Sequence, residues 1–255
     1  MRSRRVAGMG TNSGHRFHPM SGKRIKFLLI ALAFLIGGAA LGTYVVYPMI
    51  EIAGLSYEVK GVDVSHHQGE IDWQRLKSDS VAFAYIKATE GENFNDTRFS
   101  RNWFAAEQAG IRRGAYHFFT LCRTGEAQAR NFIRVVPKDP AALPPVVDAE
   151  HMGPCGETAQ VKDVVAELGV FLDLVGRHYG KRPIVYTTRQ FHDAFLDGKL
   201  PKERFWIRSL IVEPRFRRDQ WVFWQYHNRG WRAGVNGPVD LNVFRGSAAE
   251  FERLK

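Results

Sequence analysis

Eight short apolar runs, each of the length of one β-strand, follow one another after residue 57 and constrain the fold more than any other feature. They lie at residues 59–65, 81–87, 114–119, 145–150, 183–187, 205–209, 221–226 and 239–244. Helical spacing of apolar residues separates several of them, at residues 99–109, 126–136 and 161–179, the last with Thr158 as N-cap and Gly180 as C-cap. Eight strands alternating with helices predict an α/β protein of the (β/α)8 type.

The connections between the last strands do not fit a regular barrel of this type. Only about a dozen residues separate the sixth run from the seventh, and the seventh from the eighth, and these stretches are rich in Arg, Pro and Gly. A parallel crossover that carries a helix needs at least that many residues. We therefore expect an irregular (β/α)8-like TIM barrel whose late strands lack full crossover helices, preceded by one N-terminal transmembrane helix.

The membrane helix is predicted from residues 27–50, which contain no charged side chain. About 20 apolar residues span a bilayer as a helix. Positive charges at Lys23, Arg24 and Lys26 favour a cytoplasmic N-terminus. We expect a basic cytoplasmic tail at 1–26, a signal anchor at 27–50 and an extracytoplasmic domain at 57–255. A cleaved signal peptide is the alternative, since residues 38–40 are small enough for a peptidase.

The net charge of +10 belongs mostly to the tail. Seven of the 36 basic residues lie within residues 1–26, and the first acidic residue of the chain is Glu51. The remaining 29 basic residues nearly balance the 26 acidic ones. A body so balanced gives no support for a nucleic-acid partner.

Cysteine and histidine placement does not predict a metal or a cofactor. His66 and His67 are adjacent rather than four residues apart, and the sequence has no Cys/His cluster with ligand spacing. Cys122 and Cys155 are the only cysteines. Outside the cytoplasm they can form a disulfide, but spacing alone leaves the paired and the unpaired state open.

The most informative short stretch is residues 146–150 (VVDAE), where an apolar run ends in two carboxylates. On a β-strand, Asp148 and Glu150 lie on the same face, roughly 6–7 Å apart along the chain. Carboxyl groups this close push each other's pKa values apart, so that one holds a proton while the other is charged. Such a pair suits acid-assisted cleavage of a glycosidic bond.

Other polar and aromatic residues fall at the ends of the predicted strands, where barrel enzymes collect their chemistry. Asp63 lies on the first predicted strand, Lys87 ends the second, and Asp240 lies on the eighth. The candidates for substrate binding are Tyr116, Tyr186, Trp224, Gln225, Tyr226 and Lys87. By contrast, we expect a structural role for His117 and for Glu90, and positions in the core for Trp73, Phe83 and Phe118.

Six ordered motifs carry a resemblance to a known family. They are residues 61–73 (GVDVSHHQGEIDW), 84–91 (AYIKATEG), 114–118 (GAYHF), 147–150 (VDAE), 224–226 (WQY) and 239–244 (VDLNVF). Together they resemble the glycoside hydrolase family 25 lysozymes, the N-acetylmuramidases of the Chalaropsis type. One departure is residues 206–210 (WIRSL), which place Arg208 where that family usually carries a Trp-x-Ala-x-Tyr pattern.

The resemblance implies a peptidoglycan muramidase that needs no cofactor. Glu150 is implied as the general acid, and Asp148 as the group that orients the substrate's 2-acetamido group. Asp63 and Asp240 are implied to flank the site and to stabilise positive charge. A direct nucleophile or an activated water remains the alternative, and the distance between the carboxyl groups separates these mechanisms.

The resemblance also implies peptidoglycan glycan strands as the partner. The apolar N-terminal segment adds the membrane, and we expect the catalytic domain to act as a monomer. The enzyme would sit on the inner membrane with its domain outside the cytoplasm, or be secreted if the segment is cleaved. Three alternatives remain open at this point: a non-catalytic peptidoglycan-binding protein, a chitin hydrolase, and a phage endolysin with a signal-arrest segment.

Overall fold

The computed structural model describes residues 22–42, 54, 56–151, 163–210 and 212–254. The chain divides into two units, residues 1–46 and residues 47–255. In the first unit, helix α1 (Gly22–Leu41) is 20 residues long and is apolar enough to cross a membrane, by length and composition. It begins five residues before the predicted segment, and residues 43–50 of that segment lie outside the described residues.

The second unit is built around a closed sheet. Its strands are β1 (Val59–Val64), β2 (Phe83–Glu90), β3 (Phe94–Asn95), β4 (Arg112–Phe118), β5 (Val146–Ala149), β6 (Ile184–Thr188), β7 (Phe205–Arg208), β8 (Trp221–Gly230) and β9 (Val239–Phe244). The pairing order is β1-β9-β8-β7-β6-β5-β4-β2, and β2 pairs with β1, which closes an eight-stranded barrel. The short β3 pairs only with β2 as an antiparallel extension.

Each of the eight predicted strands corresponds to one barrel strand. Six α-helical segments accompany them in the described part of the second unit: α2 (Trp73–Ser78), α3 (Phe99–Gln108), α4 (Gly125–Val135), α5 (Val164–Tyr179), α6 (Arg189–Phe191) and α7 (Ala248–Glu252). A 3-10 turn (His66–Gln68) and a π-helical turn (His192–Leu196) add two shorter segments. The α/β barrel with one apolar N-terminal helix is therefore confirmed.

One detail of the helix prediction was wrong. Helix α5 begins after Asp163, whose side chain accepts a hydrogen bond from the Ala166 backbone amide as an N-cap. Thr158, the predicted cap, lies outside the described residues. The predicted end of this helix is confirmed, because Gly180 adopts the left-handed conformation (φ 68°) that closes a helix.

The last strand is antiparallel to both of its neighbours in the sheet. Strand β9 is antiparallel to both β8 and β1, whereas the other neighbouring pairs within the barrel are parallel. A regular (β/α)8 barrel has eight parallel strands, and this chain departs from it because residues 231–238 are too few for a parallel crossover. Among the described residues no helix joins β7 to β8 or β8 to β9, as we expected for the late strands.

The side chains of the strands form two apolar layers, because successive residues face opposite sides of a sheet. The inner layer fills the barrel with large aromatic side chains, among them Phe83, Tyr85, Trp206 and Phe223. The outer layer packs the barrel against its helices. Trp73 and Phe83 are buried as predicted. Cys122 is disulfide-bonded, and Cys155 lies outside the described residues.

Candidate active site

A cleft of about 390 Å³ opens at one end of the barrel. Its position follows from strand direction: the parallel strands bring their carboxyl ends to this rim, and the antiparallel β9 brings its beginning. Six charged side chains line the cleft: Asp63, Lys87, Asp148, Glu150, Arg208 and Asp240. The structure thus gathers four carboxyl groups and two cations, five of them predicted site residues.

The Asp-x-Glu pair reaches the cleft as the strand period predicts. Asp148 lies on β5 and Glu150 directly after it, and both line the cleft, while Ala149 between them packs into the outer apolar layer. In the register of the sheet, Asp148 pairs with Tyr186 on β6, which also lines the cleft. Both carboxylates and one predicted aromatic residue therefore share the barrel interior.

Burial dominates the electrostatics of this pair. It raises the pKa of Asp148 well above its ordinary value, and the charges of Glu150 and Asp63 raise it further. Burial also raises the pKa of Glu150, but the Arg208 guanidinium opposes that rise. With both values raised, the pair retains a proton more readily than two exposed carboxylates would.

One oxygen of the pair has no partner. Asp148 Oδ1 is buried and accepts no hydrogen bond from any residue that the structure describes. Most buried polar atoms in proteins are hydrogen-bonded, and an acceptor left without a donor costs about 1–3 kcal/mol. A ligand N–H or O–H group placed in the cleft would satisfy this oxygen.

The other two carboxyl groups form a direct pair across the barrel seam. The antiparallel register places Asp63 of β1 opposite Asp240 of β9, and the two side chains are hydrogen-bonded to each other. Burial, followed by the charge of Asp63, raises the pKa of Asp240 from 3.8 to about 9. Asp240 is therefore protonated at neutral pH, and its carboxyl O–H donates a hydrogen bond to Asp63.

A chain of side-chain hydrogen bonds holds Asp63 in place. Asp63 Oδ2 accepts from Asn242 Nδ2 at 2.7 Å and from Gln225 Nε2 at 2.9 Å. Tyr186 donates its hydroxyl to Gln225 Oε1 at 2.9 Å, and Trp206 donates Nε1 to Asn242 Oδ1 at 2.9 Å. Tyr186 and Gln225, predicted to bind substrate, line the cleft and also orient Asp63.

The two cations of the cleft differ in how firmly they are held. Lys87 Nζ lies 2.6 Å from Glu90 Oε2, and it also lies 4.9 Å from the centre of the Phe118 ring. The nearest carboxylate oxygen to Arg208 is Glu150 Oε2, at 3.6 Å from Nη1. Lys87 is therefore anchored by Glu90, which has the structural role we expected, whereas Arg208 faces the candidate acid.

The predictions for Trp224 and Tyr226 need correction. Neither lines the cleft; both are buried in the outer apolar layer, and Trp224 donates Nε1 to the Ser209 carbonyl. The period of two explains the error, because only Gln225 of this triplet can face the interior. Tyr116, on β4, does line the cleft.

His117, next to Tyr116 on β4, has the structural role that the sequence suggested. It is buried on the outer side of the strand, with hydrogen-bond contacts to Thr89 and Gln128, and it stacks on Phe171 of helix α5. Burial lowers the pKa of its ring to about 3, so it is neutral at physiological pH.

Sequence reasoning missed several residues of the cleft wall. Trp206, Phe118, His67 and Asn228 all line it. Phe118 is also buried, as predicted. The strand period could have found two of them, because Trp206 lies two residues before Arg208 and Phe118 two residues after Tyr116. His67 and Asn228 gave no such signal. Among the described residues, no group of three or more His, Cys, Asp or Glu side chains is arranged to hold a metal ion.

Comparison with known proteins places the chain in a family. The model of glycosyl hydrolases family 25 matches residues 62–235. Lysozyme M1 of Streptomyces globisporus is 39% identical over 209 residues, which cover 77% of this chain and 71% of that protein. The Escherichia coli protein YegX is 36% identical over 203 residues, which cover 77% of this chain and 73% of YegX.

The fold agrees with the sequence matches. A solved family 25 glycosyl hydrolase of Bacillus anthracis superposes with a TM-score of 0.72 at 44% identity, covering 77% of this chain and 93% of that one. From the matched motifs, the closed barrel and its carboxylate cleft we conclude that the chain belongs to glycosyl hydrolases family 25 and is a glycoside hydrolase.

Proposed function

We propose that this enzyme is a peptidoglycan muramidase, which hydrolyses the β-1,4 bond between N-acetylmuramic acid and N-acetylglucosamine. The observation that carries the proposal is the cleft itself, with four carboxyl groups and one buried carboxylate oxygen that lacks a donor. The similarity to a Streptomyces lysozyme supports the choice of peptidoglycan as substrate.

Glu150 is the general acid in this proposal. Protonation of the leaving oxygen requires a carboxylic acid that keeps its proton near neutral pH. The burial of Glu150 at the cleft favours that form. Such acid catalysis contributes typically a factor of 10²–10⁴ to the rate.

Asp148 assists from the other side of the reacting sugar. The N–H of the substrate's 2-acetamido group is the natural donor for Asp148 Oδ1, which has none in the described residues. A hydrogen bond donated to a carboxylate favours its charged form. Substrate binding therefore ionises Asp148 and leaves the proton of the pair on Glu150, and the acetamido oxygen, oriented by Asp148, acts as the nucleophile.

Asp63 supplies the negative charge that stabilises positive charge at the anomeric carbon. Its neighbour Asp240 is neutral and acts as a donor, so its role is to orient Asp63 rather than to add charge. Tyr116, Tyr186, Gln225 and Lys87 form the polar part of the substrate-binding wall. Trp224 and Tyr226 support that wall from behind.

The N-terminal segment holds the enzyme where its substrate lies. We propose that helix α1 is an uncleaved membrane anchor, that residues 1–26 are cytoplasmic, and that the catalytic domain of residues 57–255 acts outside the cytoplasm as a monomer. The length and composition of α1 support this, and a cleaved signal sequence passes the same test. A tethered muramidase would act on the glycan strands nearest the membrane.

The chemical identity of the products tests the proposed function. Purified peptidoglycan is digested with the enzyme, reduced with borohydride and analysed by mass spectrometry. We expect products whose reduced ends derive from N-acetylmuramic acid. Reduced ends derived from N-acetylglucosamine would contradict the muramidase assignment, and an absence of new ends would favour a peptidoglycan-binding protein. Parallel digestion of chitin, which lacks muramic acid, is expected to give no products.

A further inference from the structure

The Arg208 guanidinium is the less engaged of the two cations in the cleft. Among the residues that the structure describes, its only ionic partner is Glu150, at 3.6 Å, and it donates no hydrogen bond. A guanidinium carries five N–H donors in a planar fork. Lys87, the other cation, already contacts Glu90 at 2.6 Å. Arg208 is thus a cation with its donors free, on the wall where the substrate binds.

The position of Arg208 does not suit a purely structural role. Its side chain is 31% exposed, and it is the last residue of strand β7, at the rim. Elsewhere in the second unit, structural arginines make short contacts: Arg113 lies 2.8 Å from both Glu107 and Asp139. An arginine with unused donors beside a substrate cleft fits a ligand anion, because carboxylates accept two parallel N–H bonds from the fork.

The substrate of the proposed function supplies such an anion. This step rests on that function. Muramic acid differs from glucosamine by a lactyl ether that ends in a carboxyl group. This ether is on the same sugar ring as the anomeric carbon at which Glu150 and Asp148 act. In glycan strands without peptides this carboxyl is a free anion. In strands that carry peptides it is an amide, and the nearest free carboxylates belong to the peptide.

We propose that Arg208 is a specificity residue that binds a carboxylate on the muramyl side of the scissile bond, so that the enzyme prefers strands whose lactyl carboxylate is free. The same contact also favours the protonated form of Glu150, the proposed general acid. Arg208 holds the pKa of Glu150 down against the effect of burial. A substrate carboxylate that takes the guanidinium weakens this effect, and Glu150 then retains its proton.

The test compares substrates that differ only in this charge. Glycan strands freed of peptides are used with the lactyl carboxyl free or converted to a neutral methylamide. Peptide-bearing strands are used with their peptide carboxylates free or amidated. The kcat and KM values of the full-length enzyme are measured for each substrate, beside Arg208→Ala, Arg208→Lys and, as a control on an exposed helix face, Arg130→Ala.

We expect the wild type to have at least about tenfold higher kcat/KM for the free lactyl carboxylate than for its methylamide, as one charge-assisted bidentate contact is worth that much. The ratio should fall to about one in Arg208→Ala and to an intermediate value in Arg208→Lys, and it should stay at the wild-type value in Arg130→Ala. The unfolding midpoint of each variant checks that it is folded.

The results can contradict the proposal or show which carboxylate Arg208 binds. Equal wild-type rates on both peptide-free substrates, or a preference that persists in Arg208→Ala, would contradict the lactyl assignment. A charge preference seen only with the peptide-bearing strands, and lost in Arg208→Ala, would assign the carboxylate to the peptide instead. Failure of the wild type to cleave any of the strands would contradict the proposed function itself, which keeps the two claims separable.

Discussion

The proton shared by Asp63 and Asp240 links the site to the stability of the fold. The two side chains face each other because β1 and β9 are antiparallel at this register. Asp240 takes up its proton with a pKa of about 9, against 3.8 for an ordinary aspartate. Between these values the native state keeps a proton that the unfolded chain has released. The stability due to this proton is complete below about pH 4 and is lost as the pH rises towards 9.

Asp240→Asn should reduce this pH dependence. Asparagine cannot ionise, but its amide can still donate to Asp63. We expect the free energy of unfolding of the wild type to fall between pH 5 and pH 9, and to fall less in the variant. Urea denaturation at both pH values measures the difference. Equal losses of stability in the two proteins would show that Asp240 does not hold this proton.

At the scale of single residues, the sequence predicts which side chains reach the cleft where their position depends on one strand alone. The period of two placed Asp148 and Glu150 together, and the structure brings both to the cleft. The same rule, applied to residues 224–226, would have separated Gln225 from its aromatic neighbours. The contact between Asp63 and Asp240 could not be predicted, because it depends on the direction of the last strand.

At the scale of elements, helices α4 and α5 pack closely on the outer side of the barrel near His117. Gly125, the first residue of α4, donates its backbone amide to the Glu167 carboxylate at 2.6 Å. A Cβ atom at position 125 would overlap the Glu167 backbone carbonyl oxygen. The close approach of the two helices therefore requires glycine at this position.

Two alanine substitutions separate the steric effect of this close approach from the effect of alanine on helix propensity. Gly125→Ala should destabilise the protein by about 1–3 kcal/mol, because the helices must move apart. Gly169→Ala, in helix α5, meets no atom within 4 Å and should stabilise it by up to about 1 kcal/mol, since alanine favours the helix. Chemical denaturation measures both. A stabilising Gly125→Ala would show that the contact tolerates a methyl group.

The connections determined which elements could be predicted. All eight barrel strands were apparent as apolar runs, and helices α3 and α4 as periodic segments. The short link after β8 excluded a helix, and the antiparallel direction of β9 is its consequence. We did not draw that consequence from the sequence, because strand order and direction depend on pairing partners distant along the chain.

At the scale of the whole molecule, the chain has one unit that contains helix α1 and a second unit that contains the barrel and its cleft. Helix α1 carries Lys23, Arg24 and Lys26 in its first turns and is uncharged after them. If it is an uncleaved anchor, the protein from cells should fractionate with membranes, resist extraction at alkaline pH and retain residues 1–26 by intact-mass analysis. A soluble protein that begins shortly after residue 40 would contradict the anchor and favour a cleaved signal peptide.

In the proposed mechanism, Glu150 is the general acid of a muramidase cleft. The most direct test is the kcat of Glu150→Gln on purified glycan strands, beside the wild type and Glu126→Gln, which alters an exposed carboxylate on helix α4. Glutamine preserves the shape of Glu150 but has no acidic proton, so we predict a loss of about 10²–10⁴ in kcat for that variant alone. A Glu150→Gln enzyme that cleaves glycan strands at the wild-type rate would show that Glu150 is not the general acid.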